Sequence, residues 1–128
     1  MKTQQEFVTL NQIYDGELPH EGEILWNYVS PKDFDTPFPV IEVDPITIYN
    51  TFRPDGNDTL KESYRQLATK DQRILVQKMR KGIDRVKQEK IIILCGEDLV
   101  DGFHSVVALA LEKVNRIRAI DLCDLNPK

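Results

Sequence analysis

The chain has 128 residues, of which 41% are hydrophobic and 30% are charged, so it has the size and composition of one globular domain and not of a disordered chain. Its longest aliphatic run, residues 91–94, is far shorter than the ~18 residues of a membrane helix, and its polar start lacks an apolar leader. These features predict a soluble cytoplasmic protein without a membrane partner, and the net charge of −4 disfavours nonspecific nucleic-acid binding by the whole surface.

The charge is unevenly distributed along the chain. Residues 1–58 have a net charge of −8, whereas residues 59–128 have a net charge of +4. The cations concentrate in residues 73–90, a segment that contains Lys78 and Lys81. Such a segment is either an ordinary solvated helix face or a surface that faces an anionic or phosphate-bearing ligand.

The cysteine and histidine content argues against a metal centre. Cys95 and Cys123 lie 28 residues apart, neither is part of a C-x-x-C motif, and the two histidines are His20 and His104. Two cysteines and two histidines with this spacing make a poor zinc ligand set, so we predict no metal site. We expect both cysteines to be buried free thiols in a reducing compartment.

The first half of the chain contains more turns than regular elements. Residues 1–37 predict an irregular arm that packs on the domain or extends it, although 24–29 could form a strand or a docking segment. Residues 39–45 predict a strand bracketed by prolines, and 46–49 either extend it or start a turn. Residues 52–58 have the composition of a loop.

Two helices are predicted next. Thr59 begins a capping-box pattern, and its helix should run to about Ala68. Thr69 begins a second capping box and a longer helix, in which Gly82 marks close packing or a helix end. The buried stripe of this helix is predicted to consist of Leu75, Met79, Ile83 and Val86.

The last part of the chain has the clearest pattern. Residues 90–100 predict a β-hairpin with its connection at 96–98. Residues 101–102 predict a turn, 103–114 a helix and 116–122 a half-buried strand. The predicted order is therefore hairpin, turn, helix and strand.

The turn that leads into that helix is the candidate functional site. A chain that leaves a strand and enters a helix through a glycine directs unpaired N–H groups and the positive end of the helix dipole at one point. Gly102 would let a ligand approach, and His104 and Ser105 would offer an imidazole and a hydroxyl. Asp101 could cap the helix or hold a metal or a hydroxyl. In the alternative interpretation, Asp101 is a cap, Gly102 a turn residue and His104 an ordinary side chain.

The strand at 91–94, the box Asp101-Gly102-Phe103-His104-Ser105 and the strand at 117–122 resemble the superfamily that joins the N-terminal domain of ParB partition proteins to sulfiredoxin. Upstream, Val40 to Pro45 resembles the opening strand of that family, and Phe52-Arg53-Pro54 resembles its Arg-Pro loop. The resemblance covers residues 38–123. It implies an α+β domain over 38–128, in which a mixed sheet with a β-hairpin feeds the strand–turn–helix corner and helices pack on the sheet.

The resemblance also implies a nucleotide phosphate site, with ATP or CTP and Mg²⁺ as candidate ligands. Its expected ligand-binding residues are Arg53, Lys78, Arg80, Lys81, Gly102, Phe103, His104 and Ser105. Two of these depart from the family pattern, because Phe103 replaces the sulfiredoxin cysteine and Ser105 replaces a phosphate-binding arginine. The missing cysteine argues against the peroxiredoxin-repair activity of sulfiredoxin. The missing arginine implies that a triphosphate would bind with lower affinity or in a different arrangement.

Three functions remain open from the sequence. The first is a regulatory module that binds a nucleotide or another phosphate-bearing small molecule. The second is a phosphotransfer or nucleotide-hydrolysing enzyme with Asp101 and His104 as catalytic residues, aided by Glu42 or Asp44. The third is a protein- or DNA-interaction domain that has lost the ligand, with the acidic N-terminal region favouring a basic protein partner.

Overall fold

A computed structural model describes residues 5–51, 59–96 and 98–125. The domain is α+β, as predicted, with helices packed on a sheet of mixed strand direction. Within the described residues, no helix combines the length and the apolar character needed to cross a membrane.

The strands are β1 (Phe7–Val8), β2 (Phe38–Pro39), β3 (Ile41–Val43), β4 (Ile91–Cys95), β5 (Asp98–Asp101) and β6 (Ile117–Asp121). The α-helices are α1 (Leu10–Ile13), α2 (Pro45–Thr51), α3 (Leu60–Leu67), α4 (Lys70–Lys81), α5 (Ile83–Glu89) and α6 (Phe103–Leu111). Short 3₁₀ helices span Ile24–Asn27, Pro31–Asp35 and Leu122–Leu125. The predicted hairpin, turn, helix and closing strand are therefore confirmed, with the helix ending at Leu111.

The main sheet has the strand order β3-β6-β4-β5. β4 and β6 run parallel, because α6 carries the chain back across the sheet, and Ile92 lies opposite Ala119. β3 pairs antiparallel with β6, and β5 pairs antiparallel with β4 through a register shift after Ile93. This arrangement places the start of α6 at one end of the outer strand β5.

The two faces of the sheet are buried by different parts of the chain. Because side chains alternate along a strand, Ile92 and Leu94 pack with the helices, whereas Ile93 packs on the opposite face. That second face is covered by the N-terminal arm through Leu10 and Phe34, among others. Five buried residues of the described arm therefore belong to the core on this face, namely Val8, Leu10, Leu25, Val29 and Phe34.

The apolar segment in the arm forms a 3₁₀ helix, so the strand that we considered for residues 24–29 is wrong. The N–H groups of Trp26 and Tyr28 donate to carbonyls three residues earlier, at Glu23 and Leu25. The Trp26 indole also donates to the His20 carbonyl over 2.9 Å. These local hydrogen bonds, with ring stacking on Phe34 at 5.5 Å, compact the segment.

The predicted strand over 39–45 is shorter than expected, and a helix follows it. Asp44 and Pro45 occupy the N-cap and first positions of α2, where these residue types are favoured. The Asp44 carboxylate accepts a 2.8 Å hydrogen bond from the Ile46 N–H. Residues 46–49 therefore belong to a helix, and not to an extended strand.

Both predicted helix starts are confirmed. At Thr69, the hydroxyl accepts from the Gln72 N–H and the Gln72 side chain accepts from the Thr69 N–H, which completes the capping box. At Thr59, the structure shows the hydroxyl half, which accepts from the Glu62 N–H over 3.1 Å. These caps fix where α3 and α4 begin beside α6.

The long helix breaks at Gly82, and one of the four residues that we predicted for its buried stripe, Leu75, is exposed instead. Val76 is 0% exposed, whereas Leu75, which we predicted to be buried, is 40% exposed. Neighbouring helical residues differ by about 100° in direction, so only one of the pair can face α6. Met79, Ile83 and Val86 do pack against the core.

The two cysteines form a disulfide, so the prediction of free thiols is wrong. The parallel pairing of β4 with β6 brings the ends of both strands together, and Leu94 lies opposite Asp121. The Cα atoms of Cys95 and Cys123 are consequently 4.9 Å apart despite a separation of 28 residues. A separation of 28 residues in the sequence does not by itself indicate that the two cysteines are in contact.

Two tyrosines of the arm hold the ends of β5. The Tyr14 hydroxyl donates to Asp101, and the Tyr28 hydroxyl donates to Asp98 over 3.3 Å. Burial and the neighbouring carboxylate raise the pKa of both tyrosines, so both stay protonated donors at neutral pH. The arm is therefore tied to the sheet edge by polar contacts as well as by the core.

Tyr14→Phe is expected to lower the free energy of unfolding by about 1–2 kcal/mol, because it leaves a half-buried Asp101 oxygen without its donor. Tyr28→Phe is the matched control and should cost less than about 1 kcal/mol, since that pair is longer and more exposed. Urea unfolding at pH 7 measures both values. Equal losses would contradict the role assigned to Tyr14.

Candidate functional site

The corner between β5 and α6 has an open helix start. Gly102 occupies the N-cap position with φ of 102°, a left-handed conformation that favours glycine. It has no side chain to cap the helix, and the N–H groups of Phe103, His104 and Ser105 have no hydrogen-bond acceptor among the described residues. The nine-residue helix α6 therefore presents unpaired donors and the positive end of its dipole at this point.

Close packing also requires glycine at position 102. A Cβ atom there would lie 2.7 Å from Cγ2 of Ile92 and 3.0 Å from its Cβ. The turn that we predicted at Gly102 is present, but the space that glycine opens on this side is filled by β4. Any ligand at the corner must approach from another direction.

The Asp101 carboxylate is already engaged within the protein. One oxygen accepts from the Gly102 N–H over 2.8 Å, and the other accepts from the Tyr14 hydroxyl. Asp101 thus stabilises the turn and the arm, but it does not cap α6 as the alternative interpretation expected, because the N-cap residue is Gly102 and no side chain accepts from the first N–H groups of the helix. Each carboxylate oxygen therefore accepts one hydrogen bond from within the protein.

His104 lies in the first turn of α6 and is half-buried. Burial lowers its pKa below the usual 6.5, and the negative charge of Asp101 opposes that shift in part. The imidazole is therefore mainly neutral at pH 7, with one nitrogen able to donate and the other able to accept.

Three cavities border the corner. Two of them, of about 300 and 520 Å³, lie on the arm side and include the Asp101 carboxylate. The smaller also contains Glu17 and Glu23, and the larger contains Glu6, which forms a 3.0 Å ion pair with Arg118. The larger cavity is also lined by Glu89 and Lys90, so carboxylates outnumber Lys and Arg side chains in both cavities and disfavour an anionic ligand on the arm side of the corner.

The third cavity, which we call the α3–α6 pocket, lies on the helical side and has a volume of about 290 Å³. It is lined by Leu60, Ser63, Tyr64, Leu67, Ala68, Gln72, Phe103, His104 and Val107. None of these lining residues is acidic. The pocket therefore combines an apolar and aromatic wall with a few polar groups, as is typical of small-molecule sites.

The Tyr64 ring in this pocket is held in place by a cation. The Arg73 guanidinium lies over the ring at 5.3 Å from its centroid and donates to the Arg65 carbonyl over 2.9 Å. One face of the tyrosine is therefore covered by a positive charge. The arrangement fixes an aromatic surface and brings a cation close to a pocket whose described lining residues include no carboxylate.

The three predicted cations of α4 lie at the far end of α6. Arg80 pairs with Glu112, the residue that ends α6, over 2.7 Å, and Lys78 and Lys81 are exposed in the same last turn of α4. A nine-residue helix is about 13 Å long, so these side chains do not converge on Gly102. Arg53 lies outside the described residues.

The other candidate residues divide between the two sides of the corner. Phe103 and His104 line the α3–α6 pocket, whereas Ser105, which is 4% exposed, lines the larger arm-side cavity. Glu42 pairs with Arg116, and Asp44 caps α2. The acids that we considered as catalytic partners are thus engaged in structural contacts.

Sequence reasoning missed the contribution of α3. Leu60 and Tyr64 were assigned to a predicted helix without any indication of what that helix contacts. The pocket depends on α3 lying against the first turn of α6, which is a long-range contact. The Thr59 cap and the aromatic residue one turn into the helix were the available signals.

Comparisons with protein-family models, with curated proteins and with solved structures give no match to this chain.

Proposed function

We propose that the protein is a regulatory module that binds a nucleotide in the α3–α6 pocket, with a phosphate group on the open N-terminus of α6. The observation that carries this proposal is the combination of unpaired N–H groups at His104 with an adjoining pocket that has aromatic walls and no carboxylate among its described lining residues. Unpaired helix-start donors favour a phosphate, and aromatic side chains favour a base.

The size of the pocket limits the ligand. A volume of about 290 Å³ lies at the lower end of the range for small-molecule sites. It suits a base and a sugar better than a whole nucleoside triphosphate. We therefore favour a mononucleotide-sized ligand, which also agrees with Ser105 at the place of a phosphate-binding arginine.

The relationship to ParB and sulfiredoxin remains a proposal. It is supported by the order of elements, in which β4, β5, α6 and β6 follow one another and a glycine opens the helix. The far position of Arg80 does not favour a triphosphate that extends along α6. The proposed site is therefore smaller than the one that the resemblance implies.

The test is a thermal-shift and calorimetric titration with AMP, CMP, GMP and UMP, and with ATP and CTP, each with and without Mg²⁺. We expect a monophosphate to raise the melting temperature, because a ligand at 100 times its Kd adds about 2.7 kcal/mol. Tyr64→Leu should weaken binding by about 1–3 kcal/mol through lost stacking.

The control variant for this titration is Lys81→Gln, which removes a cation at the far end of α6 and should leave the Kd unchanged. His104→Gln keeps a polar side chain in the pocket and is expected to weaken binding less than Tyr64→Leu. The absence of a shift with every nucleotide, or an equal loss in Lys81→Gln and Tyr64→Leu, would contradict the proposal.

A phosphotransfer enzyme is the second candidate, and one observation favours it. Burial keeps the His104 imidazole neutral, and a neutral imidazole can accept a proton from a substrate hydroxyl. Asp101 does not contribute a free base, because Tyr14 and Gly102 already donate to it. Nucleotide turnover that is lost in His104→Gln would select this function over binding alone.

A cytoplasmic location is also part of the proposal. Cytoplasmic reductants keep most protein thiols reduced, so the Cys95–Cys123 bond would be open there. The properties of the reduced protein are then as relevant as those of the disulfide form.

A further inference from the structure

The end of the β4–β6 pair brings together three potential metal ligands. The sulfur atoms of Cys95 and Cys123 and a carboxylate oxygen of Asp121 all lie within 4.8 Å of one another. Cys123 is exposed, and the other two residues are half-buried, so the group is open to solvent. It lies at the end of the sheet, and none of its three residues lines the α3–α6 pocket.

The backbone holds Asp121 in a fixed orientation at this place. One carboxylate oxygen accepts from the Gly96 N–H over 3.1 Å and from the Cys123 N–H over 2.9 Å. The second oxygen has no hydrogen-bond partner in the described part of the chain. Hydrogen bonds of this kind orient a carboxylate ligand before a metal arrives.

We propose that the reduced protein binds one Zn²⁺ ion at this place through two thiolates and the Asp121 carboxylate. Zn²⁺ accepts sulfur and oxygen ligands together, and three protein ligands leave its fourth tetrahedral position to water. The disulfide and the metal ion would be alternative cross-links between the same two segments, the end of β4 and the 3₁₀ helix after β6.

The disulfide form converts into the zinc-bound form in two steps, reduction and then metal binding. An added dithiol gives two electrons and two protons to the Cys95–Cys123 bond and is itself oxidised to a disulfide, which leaves two thiols in the protein. Zn²⁺ then displaces both thiol protons, which are released to the buffer, and binds the two thiolates. The Asp121 side chain contributes a carboxylate oxygen as the third ligand.

The geometry suits this ion once the sulfur–sulfur bond is open. In a tetrahedral zinc site the ligand atoms are about 3.5–4 Å from one another, given Zn–S distances of about 2.3 Å. The three atoms already lie within 4.8 Å, and Cys123 is exposed, so opening the Cys95–Cys123 bond would allow its side chain to rotate toward the ion. The sequence-based count of cysteines and histidines missed this set because it did not include Asp121.

The experiment uses the whole chain, which is reduced with a dithiol and then freed of reductant under exclusion of oxygen. Titration with Co²⁺ should give a thiolate-to-cobalt charge-transfer band that saturates at one ion per chain, and Zn²⁺ should displace it. The disulfide form should give no band. Saturating Zn²⁺ should also raise the melting temperature of the reduced protein.

Matched variants identify the third ligand. Asp121→Asn should weaken Zn²⁺ binding at least about tenfold. Asp98→Asn, which changes a carboxylate beside Cys95 that lies outside the set of three, should leave it unchanged. Absence of the band in the reduced chain, equal affinity in Asp121→Asn and the native chain, or loss of the fold at saturating Zn²⁺ would each overturn the proposal.

Discussion

Replacing Cys95 and Cys123 together by serine is expected to lower the free energy of unfolding by about 3–4 kcal/mol. The disulfide closes a segment of 28 residues, and in the chain-entropy account a cross-link of this span restricts the unfolded chain by that amount. It joins the end of β4 to the segment after β6, so its loss also loosens the end of the sheet.

Urea unfolding in a buffer that contains a metal chelator measures this loss without interference from bound Zn²⁺. Reduction of the native chain is the matched control, and its midpoint should coincide with that of the double serine variant. An unchanged free energy of unfolding in the double variant would contradict the role assigned to the disulfide.

Gly102→Ala is expected to lower the free energy of unfolding by about 2–5 kcal/mol. A left-handed backbone costs a residue with a side chain about 1–2 kcal/mol, and the new Cβ would lie 2.7 Å from Ile92 Cγ2, which adds about 1–3 kcal/mol of overpacking. Because Ile92 is in the buried strand β4, it cannot move aside as a flexible surface side chain can.

Gly22→Ala is the matched control that separates the cost of the left-handed backbone from the cost of overpacking. Gly22 has φ of 90°, close to that of Gly102, but nothing lies within 4 Å of its added Cβ. It should therefore show the backbone cost of about 1–2 kcal/mol without the overpacking. Chemical unfolding gives both values, and equal losses would mean that contact with Ile92 contributes nothing.

The last part of the fold could be predicted because its signals are local. Residues 91–95 are a short apolar run, and Ile117–Asp121 alternates, so each strand carries its own period. The Thr69 cap needs only Gln72, three residues away. Such features do not depend on the rest of the chain.

The errors arose where one local pattern fits two structures or where the decisive contact is distant. Asp44-Pro45 is compatible with the end of a strand, but it is also a good helix start, and the helix formed. Leu75 and Val76 fit a helical stripe almost equally well, and packing on α6 decided between them. The disulfide required knowledge of the parallel pairing of β4 with β6.

The candidate site was predicted in part. The glycine-opened helix start at Gly102 was expected, and its left-handed backbone is present. The positions of the cations were not predictable, because which face of α4 meets α6 is a property of the packed fold. Arg80 therefore lies with Glu112, about 13 Å along α6 from the corner.

The most direct test of the proposed function is an NMR titration of the ¹⁵N-labelled protein with the four nucleoside monophosphates. We predict that the backbone amide signals of Phe103, His104 and Val107 shift together with that of Tyr64, because these residues line the α3–α6 pocket. Shifts that are confined to Lys78 and Lys81, or no shifts at millimolar nucleotide, would contradict the assignment of the pocket as the ligand site.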